Sequence, residues 1–163
     1  MTKIYQYILV LAIAGVVCSG LVGCGGGTPA ATVQQVEEVQ QTVSFLYDYA
    51  AGIELARQER RPTLVFFSVP DNIGSQRMLE TTFRDEEIKR LAERLVCIHV
   101  DGSRETALCE ALGIASFPTI ILSNANGVEV RRLVGRQTSE QLAVQIHILL
   151  QVMAQRPQTI TER

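Results

Sequence analysis

Apolar and polar positions change period several times along this chain, and each change marks an element. In "SFLYDYAAGIELARQERR" the residues Phe45, Tyr49, Ile53 and Ala56 fall on one side of a helix that ends in charge. "TLVFFS" is a continuous apolar run between Pro62 and Pro70, the pattern of a strand covered on both faces. "SQRMLETTFRDEEIKRLAERL" returns to a helical period, with a break expected around Arg84 and Asp85, and "VCIHVD" predicts a second buried strand. "RETALCEALGI" reads as a short helix closed by Gly113, a residue suited to a left-handed C-terminal cap. Two strands follow around Asn126-Gly127, a pair that fits a tight hairpin. The last helix, "TSEQLAVQIHILLQVMAQ", takes Thr138 or Ser139 as its cap. The order helix, strand, helix, strand, helix, strand, strand, helix predicts an α/β fold with a mixed central sheet and helices on both faces.

The N-terminus follows another pattern. Residues 1 to 24, "MTKIYQYILVLAIAGVVCSGLVGC", hold one cation, Lys3, then a long apolar segment and small residues, and no acid. Such a segment is an export signal rather than part of a fold. Its end, "LVGC", resembles the lipobox of bacterial lipoproteins. That resemblance implies a signal peptide over residues 1–23, cleavage before Cys24, and acylation of Cys24 with palmitate or a similar chain. An uncleaved anchor over Ile4 to Val22 is the alternative. Either way the domain is tethered to a membrane from outside the cytoplasm, in a bacterial cell envelope. Residues 24–42 then hold the lipidated cysteine and a flexible linker that starts with three glycines and stiffens toward a helix. In it Val33, Val36, Val39 and Val43 have amphipathic helical spacing. The folded domain is expected over residues 43–155, with a frayed tail over 156–163.

Composition narrows the function. With 163 residues and 47% hydrophobic content, the chain is long enough for one domain plus attachments. Lys and Arg total 15 against 17 Asp and Glu, so there is no basic excess to neutralise a phosphate backbone, and a nucleic-acid partner is excluded. No cysteine, histidine or carboxylate cluster has metal-ligand spacing, and neither metal nor cofactor is expected.

"LVFFS" before a turn, "VDGS" after the second strand, "GIASFPTIIL" and "NANGVEVRRLVG" together resemble a thioredoxin-fold domain, and the "RMLETTF" helix is similar to thioredoxin-like proteins of bacterial envelopes. The resemblance covers roughly Phe45 to Met153. It implies a thioredoxin fold and a cis bond between Phe117 and Pro118, in a turn that lies beside the redox centre and offers backbone to a substrate strand. Cis X-Pro bonds are uncommon enough to mark a deliberate turn. Aligning "QRM" with the segment after the family's CxxC motif places Asn72 at the first cysteine and Ser75 at the second. Asp71 stands where the family commonly has tryptophan.

An amide and a hydroxyl cannot form a mixed disulfide, so the turn "DNIGSQ" is expected to keep a redox scaffold without its chemistry. Asn72 or Ser75 also serves as an ordinary helix cap. A hydrolytic Ser75 would need a general base within reach, and the two histidines, His99 and His147, are not placed near the turn by sequence. No catalytic residue is therefore assigned. Cys97 and Cys109 read as small buried hydrophobes, and a disulfide between them requires that their side chains face each other. The resulting expectation is a membrane-anchored, redox-inactive thioredoxin-like lipoprotein. Its groove at Phe117, Pro118 and Thr119 binds a protein or peptide, in binding or envelope assembly rather than turnover. An envelope thiol oxidoreductase using Cys97 and Cys109, and a purely structural envelope protein, are the alternatives.

Overall fold

The computed structural model describes residues 42–155; the signal segment, Cys24, nearly all of the linker and the C-terminal tail lie outside them. Four strands make one sheet in the order β2-β1-β3-β4. β1 (Thr63–Ser68) is buried at all six positions, as a central strand between two helical layers must be. It runs parallel to β2 (Val96–Asp101) and antiparallel to β3 (Thr119–Ser123). β4 (Glu129–Val134) pairs antiparallel with β3 and forms one edge. The β3–β4 turn uses Gly127 at φ 78°, and the Asn124 side chain accepts from the N–H groups of Asn126 and Val128. Glycine takes that left-handed backbone without the penalty a Cβ would bring.

Each face of the sheet carries its own core. Leu64, Phe66, Cys97, Ile120 and Leu122 pack against α2 (Ile73–Glu80), α3 (Glu86–Ala92) and α5 (Ser139–Gln155). Val65, Phe67, Ile98, Val100 and Ile121 pack against α1 (Tyr49–Glu59) and α4 (Thr106–Ala111). The alternation follows from the two-residue period of a strand. Arg132 ties β4 to the end of α4 by donating to the carbonyls of Leu112 and Gly113 while pairing with Glu129 at 2.7 Å. None of the described helices is long and apolar enough to cross a membrane.

The break expected around Arg84 and Asp85 is present: α2 ends at Glu80, Thr82–Arg84 forms a 3-10 turn, and Asp85 caps α3 by accepting from the N–H groups of Glu87 and Ile88. Another reading of the pattern is corrected. The first helix begins later than its apolar spacing suggested. Asp48 caps α1, accepting from the Ala51 N–H, and the residues before it form an extended strap along the free edge of β2. Leu46 N–H donates to the Cys97 carbonyl and His99 N–H to the Leu46 carbonyl, while Val43 N–H reaches the Phe83 carbonyl. Phe45 therefore packs in the α2/α3/α5 core, on the opposite face from Tyr49, Ile53 and Ala56, and Val43 is a buried core residue of the strap rather than part of a helix.

His99 lies under this strap. Its Nε2 is 2.7 Å from the Ser68 Oγ, and the rings of Phe45, Tyr47 and Phe66 stand within 5.1–5.6 Å of it, centre to centre. Burial holds its pKa below the ordinary 6.5, with Asp101 pulling the other way. The unfolded chain thus takes up a proton near pH 6.5 that the folded chain refuses. The stabilisation is complete above pH 6.5 and is lost as pH falls below it toward the folded-state value. The urea midpoint should drop between pH 7.5 and pH 5.5, and His99→Phe should flatten that dependence; an unchanged slope in the variant would show that His99 is not its source.

Candidate functional site

The turn between β1 and α2 begins the site. Asn72 is the N-cap of α2, in extended backbone, with its Oδ1 accepting from the Ser75 N–H at 2.8 Å and lying 3.2 Å from the Ser75 Oγ. The sequence folds this way because an Asx side chain satisfies the unpaired N–H groups of a first helical turn. Asn72 Nδ2 also donates to the Phe117 carbonyl at 3.1 Å. One side chain thus closes the helix cap and joins it to the loop before β3.

That loop carries the cis Phe117–Pro118 peptide. A Cβ on Gly74 would lie 3.1 Å from Pro118 Cδ and 3.1 Å from Asn72 Oδ1, so glycine lets the helix and the proline approach this closely. Thr119, the third residue of the segment, is buried; its hydroxyl donates to the Ser116 carbonyl. The Pro118 carbonyl accepts from the Gly135 N–H, and Thr119 pairs with Val134. Gly74, the buried Pro118 and the Phe117 carbonyl therefore meet at one spot, with Ile73 beside Gly74 and Val134 beside Gly135 along the chain. Ile73 is 69% exposed and Val134 59%, two of eight exposed large hydrophobics among the described residues.

The structure brings Asn72, Ser75, Phe117, Pro118 and Thr119 together and puts Cys97 in the opposite core, while the Cys109 sulfur and the Phe117 ring both pack beside Gly102. Ser75 is only 2% exposed, and its hydroxyl faces the Asn72 amide rather than a base. His99 is engaged with Ser68, itself 6% exposed, and that pair reads as a structural hydrogen bond. Cys97 and Cys109 are free thiols in the two separate cores, with the sheet between them. The conditional disulfide between them is corrected accordingly: strand alternation points Cys97 toward α3 and α5, while Cys109 on α4 packs on the other face. Burial pushes the Cys97 thiol up to about 12, with Arg61 pulling it back in part. It also raises that of Cys109, helped by the carboxylates of Glu105 and Asp101. Neither is poised to attack as a thiolate. Among the described residues no group of three His, Cys, Asp or Glu side chains is arranged to hold a metal.

The sequence matches the family model for the thioredoxin-like domain over residues 49–147, more than half of the chain. The chain belongs to the thioredoxin-like domain family. Comparison with curated proteins gives no match. Among solved structures, a thioredoxin from Thermus thermophilus is similar at 21% identity and a TM-score of 0.60, covering 67% of this chain and 88% of that one. A DsbH oxidoreductase is similar at 18% identity and 0.54, covering 81% and 96%. The C-terminal domain of Neisseria meningitidis DsbD in its oxidised form is similar at 18% and 0.56, covering 64% and 98%. These likenesses establish the thioredoxin fold.

The exposed Ile73 and Val134 were not singled out from sequence. The signal was present in one of them, since an isoleucine between an Asx cap and a glycine has no core to enter. Val134 is the last residue of a largely exposed edge strand, and nothing local marks it.

Proposed function

We propose that this chain is a membrane-tethered, redox-inactive thioredoxin-fold lipoprotein that binds a peptide segment of a partner at the groove around Pro118. The observation that carries this reading is the Asn72 side chain. It occupies the first position of the redox turn, makes a cap to Ser75 and reaches the Phe117 carbonyl, so the turn is held in shape by hydrogen bonds that no redox cycle breaks. The exposed Ile73 and Val134 beside the half-buried Phe117 supply an apolar surface there, the kind of surface that side chains of an extended peptide fill. Because Asn72 already engages the Phe117 carbonyl, recognition rests on side-chain contact more than on that backbone group.

The tether is proposed from "LVGC", with acylated Cys24 holding the domain at the envelope membrane, facing away from the cytoplasm. The remaining thiols support a binding role over thiol exchange, since burial keeps Cys97 and Cys109 protonated. Two measurements on protein purified from bacterial membranes test the reading. Mass spectrometry should find an N-terminus at Cys24 carrying acyl chains, and insulin reduction by dithiothreitol should proceed at the uncatalysed rate. An intact, unacylated Met1 terminus would remove the lipid tether. Catalysed reduction lost on Cys97→Ser or Cys109→Ser would replace binding with oxidoreductase chemistry.

A further inference from the structure

We infer that the segment this groove takes is acidic: an extended peptide with an apolar residue against Ile73, Phe117 and Val134 and a carboxylate three or four residues away, held by Arg84 and Arg136. The inference rests on the peptide-binding reading above and gives the partner its chemistry. A cavity of about 380 Å³ opens beyond the groove, lined by Thr81, Arg84, Asp85, Arg136, Thr138 and Ser139. Arg136 links the two regions, because its Cβ is 3.7 Å from where a Cβ on Gly74 would stand. The loop that carries it is fixed from below: the Thr82 hydroxyl donates to the Gln137 carbonyl, and Gln137 N–H contacts Met78 Sδ.

Both guanidinium groups are exposed, and among the described residues neither forms an ion pair. The acids nearby are engaged. Asp85 lines the cavity and opposes an incoming anion, but its Oδ1 accepts from two N–H groups of α3. Glu140 takes a hydrogen bond from Thr138, which holds its carboxyl below the usual range. Within the lining itself two guanidinium groups stand against one carboxylate, while Glu140, close enough to act on Asp85, keeps its negative charge beside it. Arginine forks suit a carboxylate better than a lysine point charge would.

The spacing follows from α2. Ile73 opens that helix and Thr81 follows its last residue, so at ~1.5 Å per helical residue the apolar end and the Arg84 end are about 12 Å apart, with Arg136 rooted beside Gly74 at the apolar end and reaching toward the other. An extended peptide covers that distance in roughly three to four residues at ~3.3 Å each.

A library of displayed random octapeptides, selected on the immobilised full chain in detergent, tests the inference. Enriched sequences should carry Asp or Glu three or four positions from a large apolar residue. Fluorescence anisotropy on one synthesised member should show binding about tenfold or more weaker when its acid is replaced by the amide. Arg84→Glu with Arg136→Glu should reverse the charge preference toward lysine-bearing peptides, and Ile73→Ser should weaken every peptide. Apolar enrichment without an acid, unchanged in the double arginine variant, would overturn the acidic partner and leave the groove reading standing. No enrichment at all would overturn both.

Discussion

A chain carrying Asn72→Cys together with Ser75→Cys should gain insulin-reducing activity over a parent proposed to give none above the uncatalysed rate. The two side chains already meet, with Asn72 Oδ1, one bond beyond the atom a sulfur would replace, 3.2 Å from Ser75 Oγ. A disulfide needs Cβ atoms about 3.5–4.5 Å apart, and the pair to be bridged is a cap residue and the third residue of its own helix. A thiol at position 72 would stand where the Ser75 N–H now donates. Helix N-termini lower thiol pKa values from about 8.5 into a range of ~3.5–7.5, so that thiol would be substantially ionised at neutral pH. The thiol at 75 would then resolve the mixed disulfide. Losing the Asn72 cap costs about 1 kcal/mol, which a folded domain tolerates. Thiol titration and the insulin assay together decide the matter. A double variant that oxidises internally yet stays at the uncatalysed rate would mean that this groove no longer accepts the partner strand a redox turn serves. The Asn72→Cys variant alone should stop at a trapped mixed disulfide, since nothing at position 75 could release it.

The strands were legible in the sequence because their burial is complete and local. Six consecutive buried residues between two prolines leave little choice for β1, and Asn126-Gly127 marks the hairpin by its own backbone needs. The strap was not legible. Phe45 and Tyr49 have helical spacing, and the pattern cannot report that Asp48 caps the helix between them or that the open edge of β2 draws Leu46 into pairing. The site divides in the same way. Asn72, Ser75 and Pro118 could be named from their local motifs, whereas the hydrogen bond from Asn72 to Phe117 spans 45 positions and exists only once the sheet has formed. Arg84 and Arg136 are ordinary surface residues until the loop after β4 folds against the turn after α2. The facing of Cys97 and Cys109 depended likewise on which side of the sheet α4 covers, and this composition and spacing do not encode.

Phe83→Ala should be among the most destabilising single changes in the domain. Phe83 is fully buried at the 3-10 turn between α2 and α3. Its ring meets that of Phe66 at 4.8 Å and that of Phe45 at 5.0 Å, both edge to face. Edge-to-face pairs add about 0.5–1.5 kcal/mol beyond area burial, and truncating a buried phenylalanine costs ~3–5 kcal/mol once the cavity is counted. A domain of this class is stable by about 5–15 kcal/mol, so the loss is a large fraction of the whole. The effect should also reach the strap, because Phe45 rests on the missing ring while the Val43 N–H still depends on the Phe83 carbonyl. At roughly 4–8 °C per kcal/mol for a domain near 100 residues, Tm should fall by about 12–40 °C, with the urea midpoint moving in proportion. Phe45→Ala, at a partly exposed position, should cost less. Should Phe83→Ala lie within about 1 kcal/mol of the parent, the three rings would not be a shared core of strap, sheet and turn.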